Sequence, residues 1–224
     1  MSQPPLRPAP HSVQGAPFEQ ADLIRLLPAS GHRRMPWKNG KGVTIEIAIH
    51  PADASIDTFD WRLSTATVDS DGPFSAFEGI ERSLAVLDGD GLVLEVEGQP
   101  TARLTVDSDP LGFPADRATM AHLIGAPVTD LNAMSRRGHA HHQLSRHEVA
   151  GDSELSLQAP DQASAQDSVQ ATDYILFCAN GVINVAGHQL AKLDCLHIRA
   201  MQGLTLTAKG NGMLYLARFH SHKI

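Results

Sequence analysis

Along residues 43–49 apolar Val43, Ile45, Ile47 and Ile49 alternate with Thr44, Glu46 and Ala48, the two-residue period of a strand with one buried face. Runs of the same kind recur at residues 60–68, 82–87, 92–96 and 102–106. A second series follows at residues 143–149, 155–157, 174–178, 182–185, 193–198, 204–207 and 213–219. Asp71-Gly72-Pro73, Asp88-Gly89-Asp90-Gly91 and Gly98-Gln99-Pro100 separate the early runs and supply the positive or fixed φ that tight turns need. The pattern predicts an all-β chain with few short helices. Residues 18–27 fit a short helix or an opening strand equally well by period.

Three stretches break the pattern. Residues 1–17 carry five prolines and almost nothing to bury, a composition that predicts a disordered tail. Residues 107–151 read as one long loop, which inside a compact domain points to function or disorder. Residues 161–170, DQASAQDSVQ, read as a linker or surface loop. An internal repeat spans these breaks. Val86 to Leu104 and Phe177 to Leu193 share the order strand, glycine turn, strand, Gly, five residues, Leu, with Gly98 to Leu104 matching Gly187 to Leu193. Read as a duplicated unit, this predicts two related barrels fused in one chain. The expected division is a tail at 1–17, an N-terminal barrel with a long loop at 18–160, and a C-terminal barrel at 161–224 packed with the first.

Composition narrows the function. A net charge of −7 with scattered Lys and Arg argues against a nucleic-acid partner. The two cysteines and the absence of an apolar leader-like stretch at the N-terminus point to a cytoplasmic protein with reduced thiols. No apolar run approaches the ~18–20 residues of a membrane-spanning helix, so no membrane partner is expected.

Histidines invite a metal. His139 and His141 would share one side of a strand, with His142 beside them and His147 and Glu148 further on. The spacing does not match a cupin metal motif, since Glu148 is separated from His141 without an intervening turn and strand. The metal expectation is therefore none, with the alternative of a metal-dependent isomerase or dioxygenase using His139, His141 and His142. Nucleophilic catalysis has no support: no G-x-S-x-G elbow occurs, and Cys178 and Cys195 sit in apolar strand patterns where a core thiol is ordinary. No catalytic residue is assigned. Polar groups on an inward strand face are the better signal. Alternation places Asp60, Arg62, Ser64 and Ala66 opposite Trp61, Leu63 and Thr65. A buried guanidinium needs a partner, which for Arg62 is Asp60, Glu46 or an anionic ligand. Arg82 and Ser75 pose the same choice, and Phe74 and Phe77 offer rings to a planar ligand or simply fill core.

Four collinear motifs, Met35-Pro-Trp-Lys-Asn-Gly-Lys-Gly-Val-Thr, Phe59-Asp-Trp-Arg-Leu-Ser, Gly72-Pro-Phe-Ser-Ala-Phe-Glu-Gly-Ile-Glu-Arg and Asp130-Leu-Asn-Ala-Met-Ser-Arg-Arg-Gly, resemble in order and spacing the HutD/Ves family. That resemblance, from Leu23 to the C-terminus, implies a two-barrel, cupin-like (bicupin) fold without the usual metal ligands or a cofactor. It also implies a non-catalytic protein that modulates bacterial histidine utilisation by binding a small anionic metabolite, urocanate or formylglutamate. On the resemblance, Trp37, Lys38 and Asn39 join Arg62, Ser64, Phe74, Ser75, Phe77 and Arg82 as ligand-binding residues, with Asp130, Asn132 and Met134 contributed by the loop. A homodimer through edge strands is compatible with such a fold, and no residue fixes it.

Overall fold

The computed structural model describes residues 23–36, 42–158 and 171–222. The expected tail and linker, and Trp37, Lys38 and Asn39, lie outside the described residues. In chain order the strands are β1 (Leu23–Leu27), β2 (Arg33–Pro36), β3 (Val43–His50), β4 (Trp61–Val68), β5 (Gly72–Pro73), β6 (Ile80–Asp88), β7 (Leu92–Val96) and β8 (Ala102–Leu104). They continue as β9 (Leu111–Pro114), β10 (Thr119–Leu123), β11 (Val128–Arg136), β12 (Ala140–Leu157), β13 (Thr172–Val185), β14 (His188–Leu190), β15 (Cys195–Ala200) and β16 (Leu204–Ser221). Among the described residues the one helical element is the 3-10 turn Ala29–Gly31. No helix among them is long and apolar enough to cross a membrane.

The strands form three antiparallel sheets. The central sheet has the order β2-β3-β4-β11-β6-β9, a small sheet runs β5-β10-β7-β8, and the third runs β1-β15-β13-β16-β12 with β14 paired to β13. Central and small sheets face each other over Leu84, Val86, Leu92, Leu94, Phe113 and Val128. The opposite face of the central sheet, with Trp61, Leu63, Ala85, Leu131 and Ala133, packs on Phe177, Tyr215 and Phe219 of the third sheet. Alternation along β4 and β11 thus sends one set of side chains to this interface and leaves the other facing the small sheet.

The architecture is all-β and cupin-like, but the expected two closed barrels are replaced by open sheets. The third sheet encloses its core by folding over. Arg218 donates both to Gln143 Oε1 at 2.6 Å and to the Gln158 carbonyl at 3.0 Å, although a straight strand would hold positions 143 and 158 about 50 Å apart. Glycines make the crease. Gly181 pairs with Gly212, with φ of 80° and 152°, and a Cβ on Gly181 would lie 2.0 Å from the Asn211 carbonyl oxygen. Only glycine permits that approach. Long strands therefore bend without breaking, which is why residues 204–207 and 213–219, expected as two strands, are one. The hairpins suggested by the repeat form as expected: β7 pairs with β8 and β13 with β14, with Gly98 and Gly187 at φ 80° and 81°.

The expected loop at residues 107–151 is instead β9, β10, β11 and most of β12. Asp130, Asn132 and Ser135 read as turn formers, but in β11 every residue from Asp130 to Ser135 is buried. Polar residues at buried positions disguised a strand as a loop.

Candidate functional site

The inward face of the central sheet is polar where β4, β11 and β6 run side by side. Met134 stands opposite Arg62 on one side and Arg82 on the other, so the two arginine backbones are two strand spacings, about 10 Å, apart. One step along, Asn132 is opposite Ser64, and one further Asp130 is opposite Ala66. Arg62, Ser64, Asn132, Asp130 and Arg82 are all buried.

Each charge has its own setting. Arg62 Nε donates to Glu46 Oε2 at 2.8 Å, and exposed Arg33 lies 3.6 Å from the other Glu46 oxygen. Arg62 Nη2 is buried and has no hydrogen-bond partner among the described residues. Arg82 donates from Nε to Asn132 Oδ1 at 2.8 Å and from Nη2 to the same oxygen. Its guanidinium carbon lies 4.5 Å from the centroid of the Phe74 ring and 5.6 Å from that of Phe113, within cation–π range of both. Burial, with Arg62 nearby, lowers Arg82 to about 10 against the opposing pull of Asp130. Asp130 Oδ1 accepts from Asn132 Nδ2 at 2.7 Å and from the Ala66 amide at 3.1 Å. Its Oδ2 is 3.9 Å from Arg82 Nη2, beyond a hydrogen bond. Burial raises the Asp130 carboxyl to about 6 despite these contacts.

These groups floor a cavity of about 540 Å³. Arg62, Ser64, Arg82, Asp130, Asn132 and Met134 line one side, and Phe74, Ser75 and Phe77 line another. All nine sequence-predicted residues within the described part of the chain therefore meet around one space. Ala66, placed by alternation on the same face as Arg62 and Ser64, also lines the space, and sequence reasoning missed Met35, Pro36, Thr44, Ile56, Val68 and Pro73, which line it too, and Phe113 near Arg82. A two-residue period read through Asp130, Asn132 and Met134 would have marked a strand there with these three residues on one face. The open question of the Arg62 partner resolves to Glu46, while Asp60 Oδ1 instead meets His139 Nδ1 at 2.9 Å.

The alternative metal centre does not assemble. His139 is turned to Asp60, whereas His142 lies between Ser135 Oγ at 2.7 Å and Ser83 Oγ at 3.0 Å. His141 faces the His222 ring. His141 and His142 are neighbours in β12 and point to opposite faces, while His139 lies in the turn before the strand and so does not share a strand face with His141. Among the described residues no three His, Cys, Asp or Glu side chains are grouped to hold a metal.

Fold and site together define a cupin-like β protein with a cavity floored by buried arginines. The chain belongs to the HutD family, whose model matches residues 29–216. It is 40% identical over 109 residues to an uncharacterised 21.2 kDa protein from the region 3′ of hutC in Pseudomonas putida, covering 49% of this chain and 56% of that protein. It is 39% identical over 109 residues to protein Ves of Citrobacter koseri, covering 47% and 56% respectively. The match thus spans little more than half the length of these curated relatives. HutD from Pseudomonas fluorescens SBW25 superposes with a TM-score of 0.72 at 29% identity, covering 90% of this chain and all (100%) of that one. Solved proteins at 10% and 14% identity, with TM-scores of 0.59 and 0.57, share the fold alone.

Proposed function

We propose that the protein is a non-catalytic binder of a small anionic metabolite, urocanate or formylglutamate, held in the cavity above Arg62 and Arg82, and that it modulates histidine utilisation. The observation that carries this reading is Arg62 Nη2, a charged donor buried beside the cavity without a hydrogen-bond partner among the described residues. Such a group is costly to leave unpaired, and a ligand carboxylate relieves the cost. The volume of about 540 Å³ lies in the usual range for small-molecule sites. Phe74 packs on one face of the Arg82 guanidinium, which limits an anion to the arginine's edge. The association of the family with the hut region supplies the metabolite class; the residues supply only its charge.

A thermal-shift titration tests the reading. Because a ligand that binds only the folded state raises the melting point by mass action, urocanate or formylglutamate should raise it in a dose-dependent way. The shift should vanish in Arg62→Ala. A flat response to both compounds, or an undiminished shift in the variant, would remove the cavity from the function.

A further inference from the structure

Among the described residues the buried charges around the cavity come from four elements. Arg62 belongs to β4, Glu46 to β3, Arg82 to β6 and Asp130 to β11. Arg33 on β2 approaches Glu46 from solvent, with 70% of its side chain exposed. With the four buried groups ionised, the interior sums to zero. A monoanion added to that interior leaves one uncompensated negative charge in a region where Arg62, Glu46, Arg82 and Asp130 are all withdrawn from water. An uncompensated buried charge is expensive, and the group with the weakest hold on its own charge neutralises instead.

Hydrogen bonding shows which group that is. Glu46 touches Arg62 directly, but the Arg82 fork is taken by the neutral oxygen of Asn132. Asp130 Oδ1 already accepts from Asn132 and Ala66, the residue's own backbone N–H adds a further contact to the carboxylate, and the guanidinium stands off from Oδ2 at 3.9 Å. Oδ2 is thus the carboxylate oxygen with room for a proton. An anion drawn to Arg82 further offsets the one positive charge that favours ionised Asp130. Burial already raises this carboxyl above an ordinary aspartate, to about 6.

We infer that the cavity takes up a monoanion together with one proton, and that the proton resides on Asp130. The inference rests on the binding reading above and specifies the charge state of the ligand. Among the described residues no other group around the cavity offers the second neutralisation that a dianion would require, so a monocarboxylate binds in preference to a dicarboxylate.

Calorimetric titration of the full chain with urocanate at pH 7.5, in phosphate and in Tris, tests it. Each proton drawn from the buffer adds the buffer's ionisation heat, so the two heats should differ by an amount approaching one proton per ligand. The dissociation constant of the native protein should weaken by up to about tenfold per pH unit above pH 6. In Asp130→Asn both the buffer dependence and the pH slope should disappear. Equal heats in the two buffers with a pH-independent affinity would overturn the inference and leave the binding reading standing. Proton uptake that persists in Asp130→Asn would overturn the assignment to this residue. Failure of both urocanate and formylglutamate to bind would overturn the inference and the binding reading together.

Discussion

Glu46 Oε2 and Arg62 Nε meet at 2.8 Å with side chains only 8% and 4% exposed, on neighbouring strands of the sheet that floors the cavity. The pair holds a buried guanidinium by its Nε and leaves Nη2 without a hydrogen-bond partner among the described residues. Neither charge is tolerable alone. Arg62→Met strands Glu46 with only a solvent-exposed arginine at 3.6 Å, and should cost about 3–5 kcal/mol in urea unfolding. Arg62→Met combined with Glu46→Gln should recover most of that loss, because no buried charge is then left unpaired. If the two changes simply added, the pair would not be the unit of stability described here.

Trp61 joins the two halves. Its ring stacks on Phe219 at 4.3 Å and 12° and on His50 at 5.5 Å and 10°, so a residue of the central sheet is clamped by one from the third. Phe219→Ala removes a completely buried ring and should cost about 3–5 kcal/mol by urea unfolding. Trp61 fluorescence should shift to the red as water reaches the indole. A loss below about 1 kcal/mol would mean that the interface closes over the gap.

Much of this is legible in the sequence, and the two failures have separate physical causes. Leu92 to Val96 and Trp61 to Val68 alternate cleanly because one face meets core, and both strands were read to within a residue. The inward set on β4, Arg62 and Ser64, followed from the same period. β11 was lost because its inward face is Asp130, Asn132 and Met134, residues that serve a cavity and imitate a turn. The polar, cavity-lining face therefore hides the strand that carries it. Closure was misjudged for a different reason: periodicity records which way side chains point along a strand, while the crease at Gly181 and Gly212 depends on a close approach between strands that no period records.

The crease can be tested against an internal control. Gly181 and Gly187 have nearly equal φ, 80° and 81°. A Cβ at Gly181 would meet the Asn211 carbonyl oxygen at 2.0 Å, whereas one at Gly187 meets nothing within 4 Å. Gly187→Ala should cost about 1–2 kcal/mol, the conformational penalty alone. Gly181→Ala should lose that amount and about 1–3 kcal/mol more for the clash with backbone, read as a lower melting point and urea midpoint. Equal losses would show that the fold-over does not depend on close approach.

The sheet interface also carries a built-in acid sensitivity at His142. Burial holds this imidazole at about 4, well below its ordinary 6.5, while Ser135 and Ser83 occupy both of its nitrogens. Between these values the unfolded chain takes a proton that the folded chain refuses, so stability falls as pH drops from about 6.5 toward 4. The contribution reaches roughly 2 kcal/mol at pH 5. Asp130 acts in the opposite sense: its folded carboxyl, raised from 3.8 to about 6, binds the extra proton in the native state, so stability falls as pH rises through the same interval. The two partly cancel in the native protein, and single variants separate them. His142→Gln loses hydrogen bonds at pH 7.5, yet its stability relative to the native protein should improve by about 2 kcal/mol on going to pH 5. Asp130→Asn should move the other way, comparing worse with the native protein at pH 4.5 than at pH 7.5. Parallel pH profiles for both variants and the native protein would show that neither residue is held away from its ordinary protonation.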